Sequence, residues 1–322
     1  MTLNKQGSAD RYPSFDLMRL LLALEVVVAH AWPQVDPSAN WPGFIMAVPA
    51  FLAVSGFLVL KSYESSGSWF VFAKKRSLRI FPALIISFVM GYFLFDGEFV
   101  KSSLIKWISG GLYDYPGLSN APVWSLAWEE LAYLCLALLW GAGAYRRPIY
   151  IWLLLAVASA ASWYIVKIDL SPRLQILSFL APAFFVGNLT YLYRSQLSKL
   201  GGILPWLFLV CVCYWGATSH PLLQAFATVW AGMSGARLIP ARTPDISYGI
   251  YIYHMPILYY ITVSCGLTSP LKVTLAMALT VIPFSLASWY LVERPALKFK
   301  NKRLGRASPI AELHMKQSNQ NI

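Results

Sequence analysis

Residues 17–32 read LMRLLLALEVVVAHAW, and the reading of this stretch decides the fold. Basic residues ahead of it and Ala29-His30-Ala31 near its end imitate a secretory signal with a small-x-small cleavage site. Arg19 and Glu25 interrupt the apolar run, unlike a clean signal core, so the stretch reads as a first membrane span. Nine more apolar runs follow, at Pro42–Leu60, Ile80–Phe95, Val123–Ala144, Ile149–Val166, Leu174–Tyr193, Ile203–Ala217, Leu222–Ile239, Ile246–Cys265 and Leu271–Leu291. A crossing helix takes about 20 mostly apolar residues. The expected fold is therefore all-α: a polytopic membrane helical bundle of about ten transmembrane helices.

Composition agrees. The 322 residues are 57% hydrophobic and 12% charged, with mean hydropathy +0.55, whereas soluble domains carry roughly 25% charged residues. This leaves no room for a large soluble domain. The net charge of +12 would suggest nucleic acid in a soluble chain, but here the cations gather between apolar runs, as cytoplasmic loops require. Lys74, Lys75, Arg76 and Arg79 lie between spans two and three, Arg146 and Arg147 between four and five, and Arg194 and Lys199 between six and seven. Arg237 and Arg242 follow span eight, and Lys298, Lys300, Lys302, Arg303 and Arg306 follow span ten. The opposite loops, 34–41, 219–221 and 266–270, are poorer in Lys and Arg. Both termini are thus expected in the cytoplasm, with 1–14 a short N-terminal segment and 296–322 a short basic tail. Lys101 and Lys106 are exceptions, in a long external loop (Asp96–Pro122) expected to hold an interfacial helix. Cys135, Cys211, Cys213 and Cys265 all fall in apolar stretches without CxxC spacing and read as packing residues.

Ionisable residues inside spans are costly and mark candidate sites. Arg19 and His30, eleven residues apart, share a helix face about 16 Å apart along the axis, and Glu25 projects roughly opposite His30. A buried His suits a general base that takes a proton from a hydroxyl; it equally suits a hydrogen bond to a neighbouring helix. Glu129 and Glu130 open span four, and His254 lies in the aromatic-rich span nine, where an interfacial belt with a packed His is the simpler reading. The stretch 74–82 could bind phosphates through its arginines or could only fix topology. No HExxH or Cys/His spacing points to a metal, and no GxSxG or glycine-rich phosphate loop is present.

Taken in order, several segments resemble the acyltransferase-3 family of membrane acyltransferases. These are Phe15-Asp16-Leu17-Met18-Arg19 with His30; Phe51 to Phe57 with its Ser-Gly-Phe end; and Arg76-Ser77-Leu78-Arg79-Ile80-Phe81-Pro82, similar to RxxRIxP. They continue with Trp124-Ser125-Leu126 plus Glu129 and Tyr133; Ser247-Tyr248 through Tyr251, His254 and Pro256; and Glu293-Arg294-Pro295. The set spans residues 15–295, so the resemblance implies a single acyltransferase-3 transmembrane domain over 1–322. It departs in Glu25, where the family usually has an apolar residue, and in Ala132, where an aromatic is common.

The resemblance implies a membrane O-acyltransferase of the bacterial plasma (inner) membrane. It would move an acyl group, acetyl by preference, from cytoplasmic acyl-CoA to a hydroxyl of a cell-surface polysaccharide or lipid-linked oligosaccharide. His30 would be base or transient acyl acceptor, supported by Arg19 and Glu129. Arg76 and Arg79, with Ser55, would contact the donor; Trp124, Tyr133 and His254 would serve the acceptor. No permanently bound cofactor, metal or nucleic acid is expected. The expected partners are the lipid bilayer, acyl-CoA, the glycan acceptor and polysaccharide-assembly proteins. The competing reading is a transporter or flippase for a lipid-linked glycan, which often shows repeated halves with broken helices; no such symmetry is visible.

Overall fold

The computed structural model describes residues 12, 14–38, 43–113, 115–216, 220–234 and 244–299. The terminal segments, with Lys300, Lys302, Arg303 and Arg306, and the cations Arg237 and Arg242 lie outside them. Each of the ten apolar runs is mainly helical where described. In chain order the helices are α1 (Ser14–Val35), α2 (Ala47–Glu64), α3 (Trp69–Leu94), α4 (Gly97–Ile108), α5 (Trp124–Gly141), α6 (Pro148–Lys167) and α7 (Pro172–Ser178). They continue with α8 (Leu180–Leu192), α9 (Arg194–Leu197), α10 (Leu204–Trp215), α11 (Pro221–Met233), α12 (Ser247–Tyr259), α13 (Pro270–Ser288) and α14 (Arg294–Lys298). No strand occurs among the described residues.

Among those residues, six helical segments are long and apolar enough to cross a bilayer: Ala47–Glu64, Trp69–Leu94, Ala121–Gly141, Pro148–Lys167, Pro172–Leu192 and Pro270–Lys298. A seventh is added if the sharply bent pair Arg194–Leu200 and Leu204–Trp215 is one span. The expected count of about ten is larger for two physical reasons. Helices α10, α11 and α12 have only 12 or 13 residues, and α1 carries Asp16, Arg19 and Glu25.

The basic stretch expected as a loop is helical instead. Ser68 caps α3, its Oγ accepting from the Val71 N–H at 3.3 Å, so the helix starts well before Ile80. Lys74, Lys75, Arg76 and Arg79 therefore ride its first turns and take helical spacing. The long loop at 96–122 does contain a helix, α4, capped by Asp96 accepting from the Phe99 N–H at 2.9 Å. Phe99 is buried against Gly91 of α3, where any Cβ would strike its ring.

The outside of the bundle is apolar. On α6, Trp152, Leu153, Val157, Trp163 and Tyr164 all point outward, an arrangement that water would penalise and lipid accommodates. Cys135, Cys211 and Cys265 are also exposed; the expectation that they are packing residues is corrected, since Cys135 and Cys211 fall on the outward faces of α5 and α10 and Cys265 at the bend after Tyr260–Ser264. Inside, close approach and polar ties replace the hydrophobic drive that lipid cannot supply. Helices α2 and α8 meet at Gly56 and Gly187, where an added Cβ would run into the Phe184 and Ala53 carbonyls respectively. Asn188 seals this seam by donating to the Gly56 and Phe184 carbonyls, both at 3.0 Å.

Helix α2 has no side-chain N-cap of its own. Glu25 Oε1 accepts instead from the Phe44 and Ile45 N–H groups at 2.7 and 2.9 Å, and Gln224 Oε1 from the Met46 N–H at 2.6 Å. The unusual Glu25 is thus an anchor for the entry to α2, on the side of α1 away from His30.

Candidate active site

A cavity of about 120 Å³ opens between α1, α2, α3, α5 and the start of α12. Its wall gathers Arg19, Ser55, Arg76, Arg79, Glu129 and Tyr133 from four helices. On α5 the four-residue spacing of Ser125, Glu129 and Tyr133 puts all three on one face. Glu129 Oε1 accepts from Ser55 Oγ at 2.9 Å and from the Tyr133 hydroxyl at 2.5 Å. Two neutral donors from two helices thus aim this carboxylate without neutralising it.

The three arginines are held differently. Asp245, just ahead of α12, accepts from Arg19 Nη2 and from Arg79 Nη2, the latter at 2.5 Å, while its Oδ1 accepts from Ser247 Oγ at 2.7 Å. One carboxylate therefore ties α1, α3 and α12 together. Asp16 lies a further 3.6 Å from Arg19. Arg76 forms no ion pair among the described residues; its guanidinium lies 5.6 Å and 5.7 Å from the Phe72 and Tyr133 rings, and its buried Nε has no hydrogen-bond partner. The motif reading missed Asp245. The available signal was an acid set two residues before Ser247 at the head of an apolar run.

His30 and His254, 224 positions apart, meet with Nδ1 and Nε2 at 3.2 Å. Their tautomers follow from the backbone. His30 Nδ1 lies 2.9 Å from the Val26 carbonyl, and His254 Nδ1 lies 2.8 Å from the Tyr251 carbonyl. Both Nδ1 atoms must carry the proton, since a lone pair facing a carbonyl oxygen would repel it. His254 Nε2 is then an acceptor for the forked His30 Nδ1–H, and His30 Nε2 has no hydrogen-bond partner among the described residues. That is the arrangement of a base with an orienting partner.

Helix α12 is shaped to deliver His254. Pro256 has no N–H to give to the Ile252 carbonyl four residues back. Asn120 Nδ2 supplies the missing donor at 2.9 Å, and Asn120 is itself fixed by its N–H to Ser103 Oγ at 2.8 Å. Farther along, Tyr253 and Ser288 share a hydrogen bond at 2.8 Å, and Ser288 Oγ donates at 3.3 Å to the buried Glu293, which the wider turn Trp289–Glu293 turns inward.

The structure therefore brings Arg19, Arg76, Arg79, Ser55, Glu129 and Tyr133 to one cavity, and His30 and His254 to each other. The two groups are adjacent but distinct. Tyr251 stands between them: it lines the cavity, shares a hydrogen bond with Ser125 at 2.6 Å, and faces His254 with ring centroids 6.2 Å apart. Trp124 is off the cavity wall and packs on Gly111; Trp128 lines it instead, its Nε1 donating to the Gly110 carbonyl at 2.9 Å. Glu129 contacts neither histidine.

Comparison with known proteins gives a consistent picture. Residues 12–290 match the acyltransferase-3 family, described as an acyltransferase domain. Nodulation protein 10 of Rhizobium leguminosarum bv. viciae is 27% identical, over 96% of this chain and 99% of its own length. An O-acetyl transferase of Shigella phage Sf6 is 26% identical, over 90% of this chain and 97% of its own. No solved structure matches the chain.

Proposed function

The chain belongs to the acyltransferase-3 family and is an acyltransferase of the O-acetyl-transferring kind, and from that premise we propose a division of labour. Acetyl-CoA enters from the cytoplasm, its anionic end meets the arginine-lined cavity, and its thioester reaches the histidine pair beyond Tyr251. The acceptor is a hydroxyl of a cell-surface polysaccharide or lipid-linked oligosaccharide, and the setting is a bacterial plasma membrane crossed several times, with both termini inside. The observation that carries this reading is the single cavity lined by Arg19, Arg76 and Arg79, placed next to a His30 whose Nε2 has no hydrogen-bond partner among the described residues.

In this scheme His30 Nε2 takes the acceptor hydroxyl proton as the oxygen attacks the thioester carbonyl. The C–O bond forms, the tetrahedral adduct collapses, and the C–S bond breaks. The proton passes from His30 Nε2 to the departing CoA thiolate. His254 keeps the His30 ring oriented throughout, because the His30 Nδ1–H stays in place whether or not Nε2 is protonated. Glu129 orients a hydroxyl or amide of either substrate through its oxygen not taken up by Ser55 and Tyr133.

The test is transfer of labelled acetyl from acetyl-CoA to a cell-envelope glycan extract by the protein in nanodiscs, comparing wild type with His30→Ala. Label on a glycan, lost in the variant, supports enzyme and base together. Transfer that persists in the variant keeps the enzyme and removes His30 from its role. No CoA release with any acyl donor, from folded wild type, overturns the reading.

A further inference from the structure

Arg19, Arg76 and Arg79 face one cavity, yet only two of them are occupied by a carboxylate. Arg79 is bound by Asp245, and Arg19 by Asp245 with Asp16 nearby. Asp245 is aimed by Ser247, so its position does not depend on the arginines alone. Arg76 has no anionic partner among the described residues; its buried Nε is unpaired, as is that of Arg19, so the missing carboxylate is what sets it apart. A half-buried cation without a partner is costly, and here it lies beside the touching rings of Phe72 and Tyr133, whose faces offset part of that cost.

We propose that Asp245 is a positioning residue of the transfer reaction: by engaging Arg19 and Arg79 it makes them ties between α1, α3 and α12 and leaves Arg76 as the cation that grips the donor's anionic end. This rests on the acyl-CoA reading above. A carboxylate beside the cavity weakens binding of any anion there, and that weakening is the cost of holding the arginines in one geometry. Removing the carboxylate releases two guanidinium groups to the donor. Tighter ground-state binding that the transition state does not share lowers KM without raising kcat. The two constants should therefore move in a direction that simple damage to the site does not produce.

The experiment measures kcat and KM for acetyl-CoA with the full chain in nanodiscs, for wild type, Asp245→Asn, Asp245→Glu and Ser247→Ala. Wild-type transfer from acetyl-CoA establishes the underlying reading on its own; its absence is a failure of that reading. Given wild-type activity, Asp245→Asn is expected to lower KM by about tenfold, the worth of one charge-assisted hydrogen bond, and to lower kcat as well. Asp245→Glu should return KM toward wild type. Ser247→Ala, which loosens Asp245 without removing its charge, should move KM the same way by about two- to threefold, the size of one neutral hydrogen bond, and serves if Asp245→Asn does not fold. A KM that is unchanged or raised in the folded variants, with kcat lowered, would assign Asp245 to fold maintenance alone and overturn the proposal.

Discussion

The two ends of α1 present polar groups on one face and hold them in opposite ways. At the Arg19 end, charges from α1, α3 and the head of α12 are cross-linked by side chains, chiefly Asp245. At the His30 end, each ring is fixed by a carbonyl of its own helix, Val26 or Tyr251, and only then by the other ring. The first arrangement depends on how helices are placed; the second depends on helix geometry that is present wherever the helix is. The difference suits the two tasks proposed for these ends. A site for a mobile anionic ligand can shift with the helices that carry it, whereas a base must keep its lone pair in a narrow direction.

The comparison can be broken most directly at His30. Its replacement by Ala should lower kcat by roughly 10²–10⁴-fold, the contribution of a positioned general base, with KM for acetyl-CoA nearly unchanged; a loss confined to KM would put His30 with the cations. Arg76→Ala should do the reverse, raising KM by roughly 10- to 100-fold through the loss of a charged contact while kcat is largely kept, as read from saturation curves with acetyl-CoA. Gly187→Ala lies at neither end. It should destabilise the bundle by about 1–3 kcal/mol through overpacking of the α2–α8 seam, seen as a lower thermal midpoint, with the folded fraction transferring at the wild-type rate. The smallest effect is expected of His254→Phe: loss of one neutral hydrogen bond, about 0.5–1.5 kcal/mol, should slow kcat severalfold, since the Val26 carbonyl still holds the His30 proton. A drop in the His254 variant equal to that of His30→Ala would show that the pair acts as a unit.

Much of this was legible along the chain, and the limits have a physical cause. Helical periodicity alone puts Arg19 and His30 on one face and Glu25 on the other, and Glu25 is indeed turned to the entry of α2. The same periodicity on α5 groups Ser125, Glu129 and Tyr133. Four cations at the start of α3 look like a loop, and the cap that begins the helix ahead of them is a single residue, Ser68. Asp245 and the His30–His254 contact were invisible for another reason: their partners on other helices are 166 to 226 residues away, and local pattern carries no information about which helix becomes a neighbour. Trp124 and Trp128 could not be told apart, since both adjoin the motif and only packing against Gly110 and Gly111 sorts them.

The Asn120 side chain that completes the Ile252 carbonyl has a consequence for how stiffness is distributed in α12. At Pro256 the helix has a joint, and the stay that keeps the joint from flexing is anchored in the segment leading into α5. Asn120 and Ser103 of α4, which holds it, are therefore a mechanical part of the histidine pair although neither hydrogen-bonds to a histidine. Replacing Asn120 by Leu leaves a carbonyl unpaired, worth about 1–3 kcal/mol, and its first sign should be faster amide exchange around Tyr251–Met255. The hold that α4 has on Asn120 is thereby passed, through one side-chain amide, to the turn of α12 that carries His254.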